Sequence, residues 1–480
     1  MKLFVGRKEE LSKLQDLAKS ARPSLVVIKG RRRIGKSSLA AEFGKDKAFF
    51  SFSGLAPIEK VTAQDQRNIF AKQLSQHFQL PLITFLDWND AFSYLSLRLP
   101  HGKVVILLDE ISWLGTKDHT FLPKLKIWWD QISQLRDDVI LMLCGSVSTW
   151  IEKNIINSTA FFGRISLSLT LGELSLSESA LLLRKLGFKH SAHDMFAILA
   201  VTGGVPWYLE QVSIHHTVDE NIRRFCFEKD GMLVGEFGRI FHDLFNTNNL
   251  IYRRIVTILG EGMRSLAEIR KELGYARSGS LTQYLSSLVT SGFVSQHLTW
   301  SIVTSKIGRQ SLYRLSDNYI RFYLKYIEPN LLKIQQGGYT KLVLSQLPGW
   351  EAIMGFQIEN LLLKNRDLIF KSIGLNPQEI VVDNPYMQKA TERQRGCQID
   401  YLIQTHSNSL FACEFKFRKR ELGNDIIEYM RDKLERFVTP KRFGVCPVLF
   451  HFGGVSDTVQ CSNYFYRIID INDFLDDDGE

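Results

Sequence analysis

An α/β fold with a parallel sheet is predicted for the first part of this 480-residue chain. Three apolar runs, at residues 24–28, 103–108 and 139–144, alternate with stretches of helical periodicity, the pattern that builds such a sheet. A glycine-rich turn, GRRRIGKS, follows the first run directly at residues 30–37. The second run ends in Asp109-Glu110, placing carboxylates at a strand's carboxyl end, where α/β sheets hold their ligands.

Length and composition limit the classes of function. At roughly 100–200 residues per domain the chain holds about three. Its 45% hydrophobic and 11% aromatic content suits packed cores. The longest apolar runs fall short of the ~18 residues that suggest a membrane-spanning helix. The start, MKLFVGRKEE, lacks an apolar segment followed by a small-residue cleavage site, so a cytoplasmic protein without membrane contact is expected. Six cysteines at 144, 226, 397, 413, 446 and 461 show no CxxC pairing and read as reduced thiols. The net charge of +9 permits nucleic-acid binding without requiring it.

The chain opens on Phe4-Val5-Gly6-Arg7 and a helix with Leu11, Leu14 and Leu17 on one stripe. The turn after the first strand has Gly30, four residues, then Gly35-Lys36-Ser37, which is the P-loop spacing. Its glycines let backbone N–H groups surround phosphate oxygens, and the helix start behind it adds partial positive charge. Gly30, Arg33, Gly35, Lys36, Ser37 and Ser38 are therefore the expected nucleotide cradle. Lys36 would reach the β- and γ-phosphates, and Ser37 would bind Mg²⁺. Arg31 to Arg33 could meet phosphate, a neighbouring subunit or the C-terminal domain. A strand near residues 49–52 and helices over about 64–78 and 88–99 come next. Asp109 would hold the same Mg²⁺, directly or through water, and Glu110 would polarise the attacking water.

Ser146, ending the third strand, reads either as a sensor of the γ-phosphate or water, or as a plain strand-terminating serine. Arg164 precedes a β-like stretch at 165–169. It reads either as an arginine finger, acting in cis or across a subunit interface, or as a surface arginine. Helices continue to about residue 248, interrupted by the Thr202-Gly203-Gly204-Val205-Pro206-Trp207 turn.

GRRRIGKSSL, the LLDE strand, LCGS, the GR before a strand and GGVPWYL together resemble the archaeal-type P-loop ATPases of the signal-transducing, STAND-like branch of the AAA+ group. The resemblance spans about residues 1–245. It implies ATP and Mg²⁺ as cofactors, ATP hydrolysis in a nucleotide-driven switch, and Pro206 near the nucleotide. Ser37 stands where many P-loops carry threonine.

Between 251 and 325 the pattern is helix, turn, helix, then two strands near 293–294 and 311–315, which resembles a winged helix-turn-helix. This segment carries 11 Lys and Arg against 4 Asp and Glu. Arg277, Ser278, Ser280, Thr282 and Gln283 begin the expected recognition helix, with Lys306 and Arg309 in the wing. A winged helix serving only domain packing is the competing reading.

A second chemical site is expected near the C-terminus. Strands at 396–403 and 410–417 flank the turn THSNS. A hairpin closed symmetrically about Ser407 sets Asp400 opposite Glu414, with Lys416 on the same face and Ile399, Tyr401, Phe411, Cys413, Phe415 and Phe417 on the other. Facing carboxylates repel, and a divalent cation between them removes the repulsion. This Asp…Glu-x-Lys pattern resembles the PD-(D/E)xK restriction-endonuclease-like fold over about residues 345–480. The match implies metal binding by Asp400 and Glu414, catalysis with Lys416, and Glu359 as the acidic residue of the first helix. Ile399 stands where the name-giving proline would be. Arg418, Lys419 and Arg420 follow as backbone-phosphate contacts, and residues 476–480 read as an acidic, solvated tail.

The expected organisation is thus a P-loop ATPase core at 1–170, a helical lid at 171–248, a winged helix-turn-helix at 249–330 and a nuclease-like domain at 345–480. The expected function is ATP-regulated, Mg²⁺-dependent processing of nucleic acid, DNA ahead of RNA, with a homo-oligomer as a further expectation. The alternatives are an ATP-driven binding switch with an inert nuclease-like domain, and an assembly protein that uses ATP to oligomerise.

Overall fold

A computed structural model describes residues 3–476 apart from 57–59, 147–148, 246–248, 276–278, 340 and 393. Arg277, Ser278 and the last four residues of the acidic tail lie outside the described residues. The chain divides into two compact units, Met1–Glu173 and Leu174–Glu480. The three later segments pack into one unit.

In the first unit, β1 (Ser24–Gly30), β2 (Ala48–Ser53), β3 (Val104–Asp109), β4 (Val139–Ser146) and β5 (Ile165–Leu171) form an all-parallel sheet in the order β2-β3-β4-β1-β5. Successive β1 side chains point to opposite faces. Leu25 and Val27 join Phe70, Trp88, Phe92 and Trp128 in one core, while Val26 and Ile28 join Leu14, Leu39 and Phe43 in the other. Both faces are therefore dry, which is why these strands read as continuous apolar runs. Each such burial is worth roughly 1.5–3 kcal/mol, so the strand that carries the glycine turn is firmly held. Local signals agree with the packing: helix Ala63–Phe78 starts at Thr62, whose side chain and Asp65 close a capping box.

The second unit begins with helices. Leu176–Lys185, Ala192–Thr202 and Val218–Cys226 each start at a Ser or Thr capping box. Helix Leu266–Leu273 is capped by Ser265 and stopped by Gly274 at φ +69°. It is followed by helix Ser280–Thr290 and by a three-stranded sheet in the order β6-β8-β7, from β6 (Arg264–Ser265), β7 (Val294–Trp300) and β8 (Ile307–Leu315).

The last sheet has the order β13-β12-β11-β10-β9, from β9 (Ile380–Gln388), β10 (Cys397–Thr405), β11 (Ser409–Lys416), β12 (Gly444–His451) and β13 (Arg467–Asp470). β10 is antiparallel to both its neighbours, whereas β11, β12 and β13 run parallel. The clean division into an apolar and a charged face does not hold here. Leu402, Leu410 and Ala412 are fully buried, in one core with Ile426, Ile427 and Met430 of helix Asp425–Arg436. A register shift between Ile399 and Leu402 in the pairing with β9 brings Ile399 into that core as well.

Two further sequence-based expectations change in this unit. The β7–β8 hairpin is not a free wing: Trp300 and Ile302 sit in the core of the C-terminal sheet, and Trp300 Nε1 donates to Gln404 Oε1 at 2.8 Å. Part of the positive charge of residues 251–325 is paired or buried within the fold. Arg253 pairs with Glu328, Arg264 with Glu272 and Arg314 with Glu359, while Arg321 is buried and donates to the Leu315 carbonyl. Lys306 and Arg309 remain exposed at the hairpin tip.

Candidate functional site

The parallel register gathers the first site at the carboxyl ends of the strands. Gly30 ends β1 beside Ser146 of β4 and Leu171 of β5, and Asp109 ends β3. The loop between Gly30 and the helix Lys36–Gly44 takes Arg33 to φ +68° and Gly35 to φ +93°. A side chain on Gly30 would meet the Leu171 carbonyl at 2.7 Å, so only glycine fits.

Lys36 is buried, and its ammonium donates to the Gly30 and Arg31 carbonyls at 3.0 and 3.1 Å. Burial lowers its pKa, opposed by Glu110, Cys144 and Asp109. Ser37 Oγ donates to Asp109 Oδ2 at 2.6 Å. The hydroxyl and the carboxylate in contact are hard-oxygen donors that fit Mg²⁺, and the lysine beside them, held by loop carbonyls, fits phosphate. Glu110 follows in a left-handed conformation, φ +48°, at the start of helix Ile111–Leu114. Ser38 lies on the first turn of the loop's helix, partly buried.

Arg7, which the sequence did not single out, is a strut of this loop. It is buried and donates to the Ile34 carbonyl at 3.3 Å and to the Gly172 carbonyl at 2.6 Å. Arg31 pairs with Glu173 at 3.0 Å.

The cis finger role of Arg164 is corrected by the register. Ile165 lies beside Leu25, at the amino end of β1. Arg164 is therefore about 20 Å from the loop, six residues at ~3.3 Å each. Its guanidinium is held by Asp130, at 2.6 and 3.0 Å.

Pro206 opens the short helix Pro206–Leu209 in the second unit, after Gly203 at φ +60°.

The second site has the register expected for it. Tyr401 pairs with Cys413 and Leu402 with Ala412, which sets Asp400 opposite Glu414. Asp400 Oδ2 accepts from the Phe415 N–H at 3.0 Å. Glu414 is 1% exposed. Lys416 Nζ donates to Glu414 Oε1 at 2.5 Å, and Lys433 of helix Asp425–Arg436 donates to Oε2. Lys433 also stands 3.8 Å from Asp400 Oδ1. Burial, and then the Glu414 charge, push Asp400 up to about 7, against the pull of Lys433. Burial alone would lower Lys433, but Asp400 and Glu414 outweigh it and raise it.

Glu359 does not complete a three-carboxylate cluster. Its Oε1 accepts from Arg314 Nη1, and among the described residues no group of three or more His, Cys, Asp or Glu side chains is gathered closely enough to hold a metal ion. Its charge still raises the Asp400 pKa, so it lies nearby. The donors that remain, Asp400 and Glu414, are hard oxygens suited to Mg²⁺. Lys433 and His451 went unread in the sequence. His451 lies beside Lys416 in the β11–β12 register, 7% exposed, with no hydrogen-bond partner for Nδ1. Lys433 did leave a signal: it follows Ile426, Ile427 and Met430 at helical spacing, a lysine where the period places a core residue.

The chain is similar to several known proteins. Residues 4–212 match the family model described as an ATPase domain predominantly from Archaea. This segment is similar to an archaeal-type ATPase domain. The uncharacterized protein MJECL04 of Methanocaldococcus jannaschii is 27% identical over 353 residues, covering 70% of this chain and 71% of its own length. Among solved structures, a Walker-type ATPase of Pyrococcus abyssi has a TM-score of 0.47 at 15% identity, over 67% of this chain and 96% of that one. The ORC2 protein of Aeropyrum pernix, solved in ADPNP–ADP complexes, has a TM-score of 0.41 at 14% identity, over 69% and 92%. Among the described residues no helix is long and apolar enough to cross a membrane.

Proposed function

We propose that this chain is an ATP-regulated, Mg²⁺-dependent nucleic-acid-processing protein, whose ATPase domain controls a C-terminal phosphodiester-cleaving domain of the PD-(D/E)xK kind. The observation that carries the second half is the Asp400–Glu414 pair, Glu414 buried and Asp400 partly so, with Lys416 on the Glu414 carboxylate. A fold seldom buries facing carboxylates without a task for them.

In the ATPase domain Lys36 would hold the β- and γ-phosphates, Ser37 and Asp109 would hold Mg²⁺, Glu110 would orient water, and Ser146 would stand beside the γ-phosphate. Arg33 and Ser38 would line the cradle, and Pro206 would follow the nucleotide state. Arg164 would meet phosphate only across a subunit interface, after release from Asp130. Residues 249–330 are read as a winged helix-turn-helix, whose helix Ser280–Thr290 and hairpin tip would touch DNA.

In the C-terminal domain Asp400 and Glu414 would bind the metal, with Glu359 joining if Arg314 releases it. Bound Mg²⁺ supplies Lewis-acid polarisation of a phosphoryl oxygen and acidifies its water. Lys416 would orient water or stabilise the phosphorane charge.

A second reading keeps the ATP switch but makes the nuclease-like domain inert. The Arg314–Glu359 pair and the two lysines on Glu414 favour it. Incubation of the full chain with double- and single-stranded DNA and RNA, with Mg²⁺ or Mn²⁺ and ATP, separates the two. Cleavage by the wild type that is lost in Asp400→Ala supports the proposal. Intact substrates throughout support the inert domain.

A further inference from the structure

Helix Asp425–Arg436 lays Ile426, Ile427 and Met430 on the C-terminal sheet, and the next position on that stripe is Lys433. Its backbone is fixed, because its carbonyl accepts from Cys397 Sγ at 3.3 Å and from the Phe437 N–H at 3.2 Å. Its side chain crosses to Glu414, while Lys416 takes the other carboxylate oxygen. One turn earlier on the helix is Tyr429. Lys416 Nζ lies 4.3 Å and Lys433 Nζ 5.0 Å from the centre of its ring. Two ammonium groups, two carboxylates and one aromatic ring thus form a single cluster, with the second lysine supplied from outside the hairpin.

We propose that Lys433 is an internal cation that occupies the metal's place between Glu414 and Asp400 in the metal-free protein, and that metal binding displaces it toward the substrate phosphate. The inference rests on the metal-site reading of Asp400 and Glu414. Glu414, 1% exposed, is too deep to stay ionised and unpartnered, so a cation stands on it in each state. A divalent ion on Glu414 is repelled by the ammonium groups already on its two oxygens and so competes with them. Lys433 is the one that also faces Asp400, so it is the one in competition. Its long flexible stem and exposed neighbour Tyr429, 43% exposed, leave a path along the ring toward solvent, where a phosphate would arrive. Tyr429 is then a positioning residue that holds the displaced ammonium at the site.

The geometry assigns opposite effects to two readouts. Removing the competitor should tighten metal binding, and removing the phosphate contact should weaken nucleic-acid binding. The test is Mn²⁺ titration of the full ATPase chain by calorimetry, with the P-loop site silenced by Ser37→Ala and Asp109→Asn in every sample. On that background wild-type Lys433, Lys433→Met, Lys433→Arg and Asp400→Asn are compared. Lys433→Met should bind Mn²⁺ about tenfold more tightly, Lys433→Arg close to the unaltered level, and Asp400→Asn not at all. Affinity for a short DNA duplex in Mn²⁺ should fall severalfold in Lys433→Met. If Lys433→Met binds Mn²⁺ no tighter while Asp400→Asn still abolishes binding, the displacement is overturned and the metal site stands. If no variant binds Mn²⁺ at this site, the metal-site reading falls and takes the inference with it. Should Lys433→Met fail to fold, the Lys433→Gln variant serves, with the same expected direction.

Discussion

The Ser37 hydroxyl donates to Asp109 Oδ2 at 2.6 Å, joining two residues 72 positions apart. The bond links the first helical turn behind the glycine loop to the carboxyl end of β3. It brings together the two groups that a nucleotide-bound cation would share. Ser37→Ala should weaken binding of Mg²⁺–ATP by about tenfold, roughly 1.4 kcal/mol, while ATP in excess EDTA binds as before. Calorimetry with and without the metal measures both. Equal losses in the two conditions would place Ser37 on the phosphate and not on the cation.

Arg7 holds the loop from behind through the Ile34 and Gly172 carbonyls. Arg7→Ala leaves both acceptors under-satisfied in a buried setting and should destabilise the first unit by about 2 kcal/mol. ATP affinity should fall with it, since Ile34 lies within the loop. Thermal unfolding with and without ATP checks this: the variant should melt lower, and saturating ATP should restore part of the difference.

His297 gives the second unit an acid-sensitive joint. It is 3% exposed on β7 and its Nδ1 bonds to Asn384 Oδ1 of β9 at 3.2 Å. Burial lowers its pKa from 6.5 to about 4, opposed by the bond to Asn384. The folded unit therefore favours the neutral ring. That stability is complete above about pH 6.5 and is lost as pH falls toward 4, amounting to at most about 3 kcal/mol. Lowering the pH from 7 to 4.5 should destabilise the wild type more than His297→Gln, which has no ring to charge. Urea unfolding at the two pH values reads the difference, and equal losses would remove His297 as the cause.

Much of this was legible in the sequence because short-range rules set it. The P-loop spacing, the apolar runs and the symmetric closure of the hairpin about Ser407 each depend on neighbours within a few positions. Asp400 therefore falls opposite Glu414 as the pairing of Tyr401 with Cys413 requires. What escaped depends on packing between distant segments. Arg164 adjoins a strand, and only the β1–β5 register reveals that it lies at the wrong end of the sheet. The charges of the 251–325 segment look like a surface patch until Glu328 and Glu359 are seen to take Arg253 and Arg314. Lys433 reaches Glu414 across 19 positions, although its place on an apolar helical stripe was visible.

The central claim is that the nucleotide site governs the carboxylate site. Its most direct measurement is the rate of DNA cleavage by wild type, Lys36→Ala and Asp400→Ala, in Mg²⁺ with and without ATP. The account predicts cleavage by the wild type that changes at least tenfold with ATP, loss of that ATP response in Lys36→Ala with residual cleavage retained, and no cleavage by Asp400→Ala under either condition. Cleavage that proceeds equally with and without ATP, or that survives in Asp400→Ala, would contradict it.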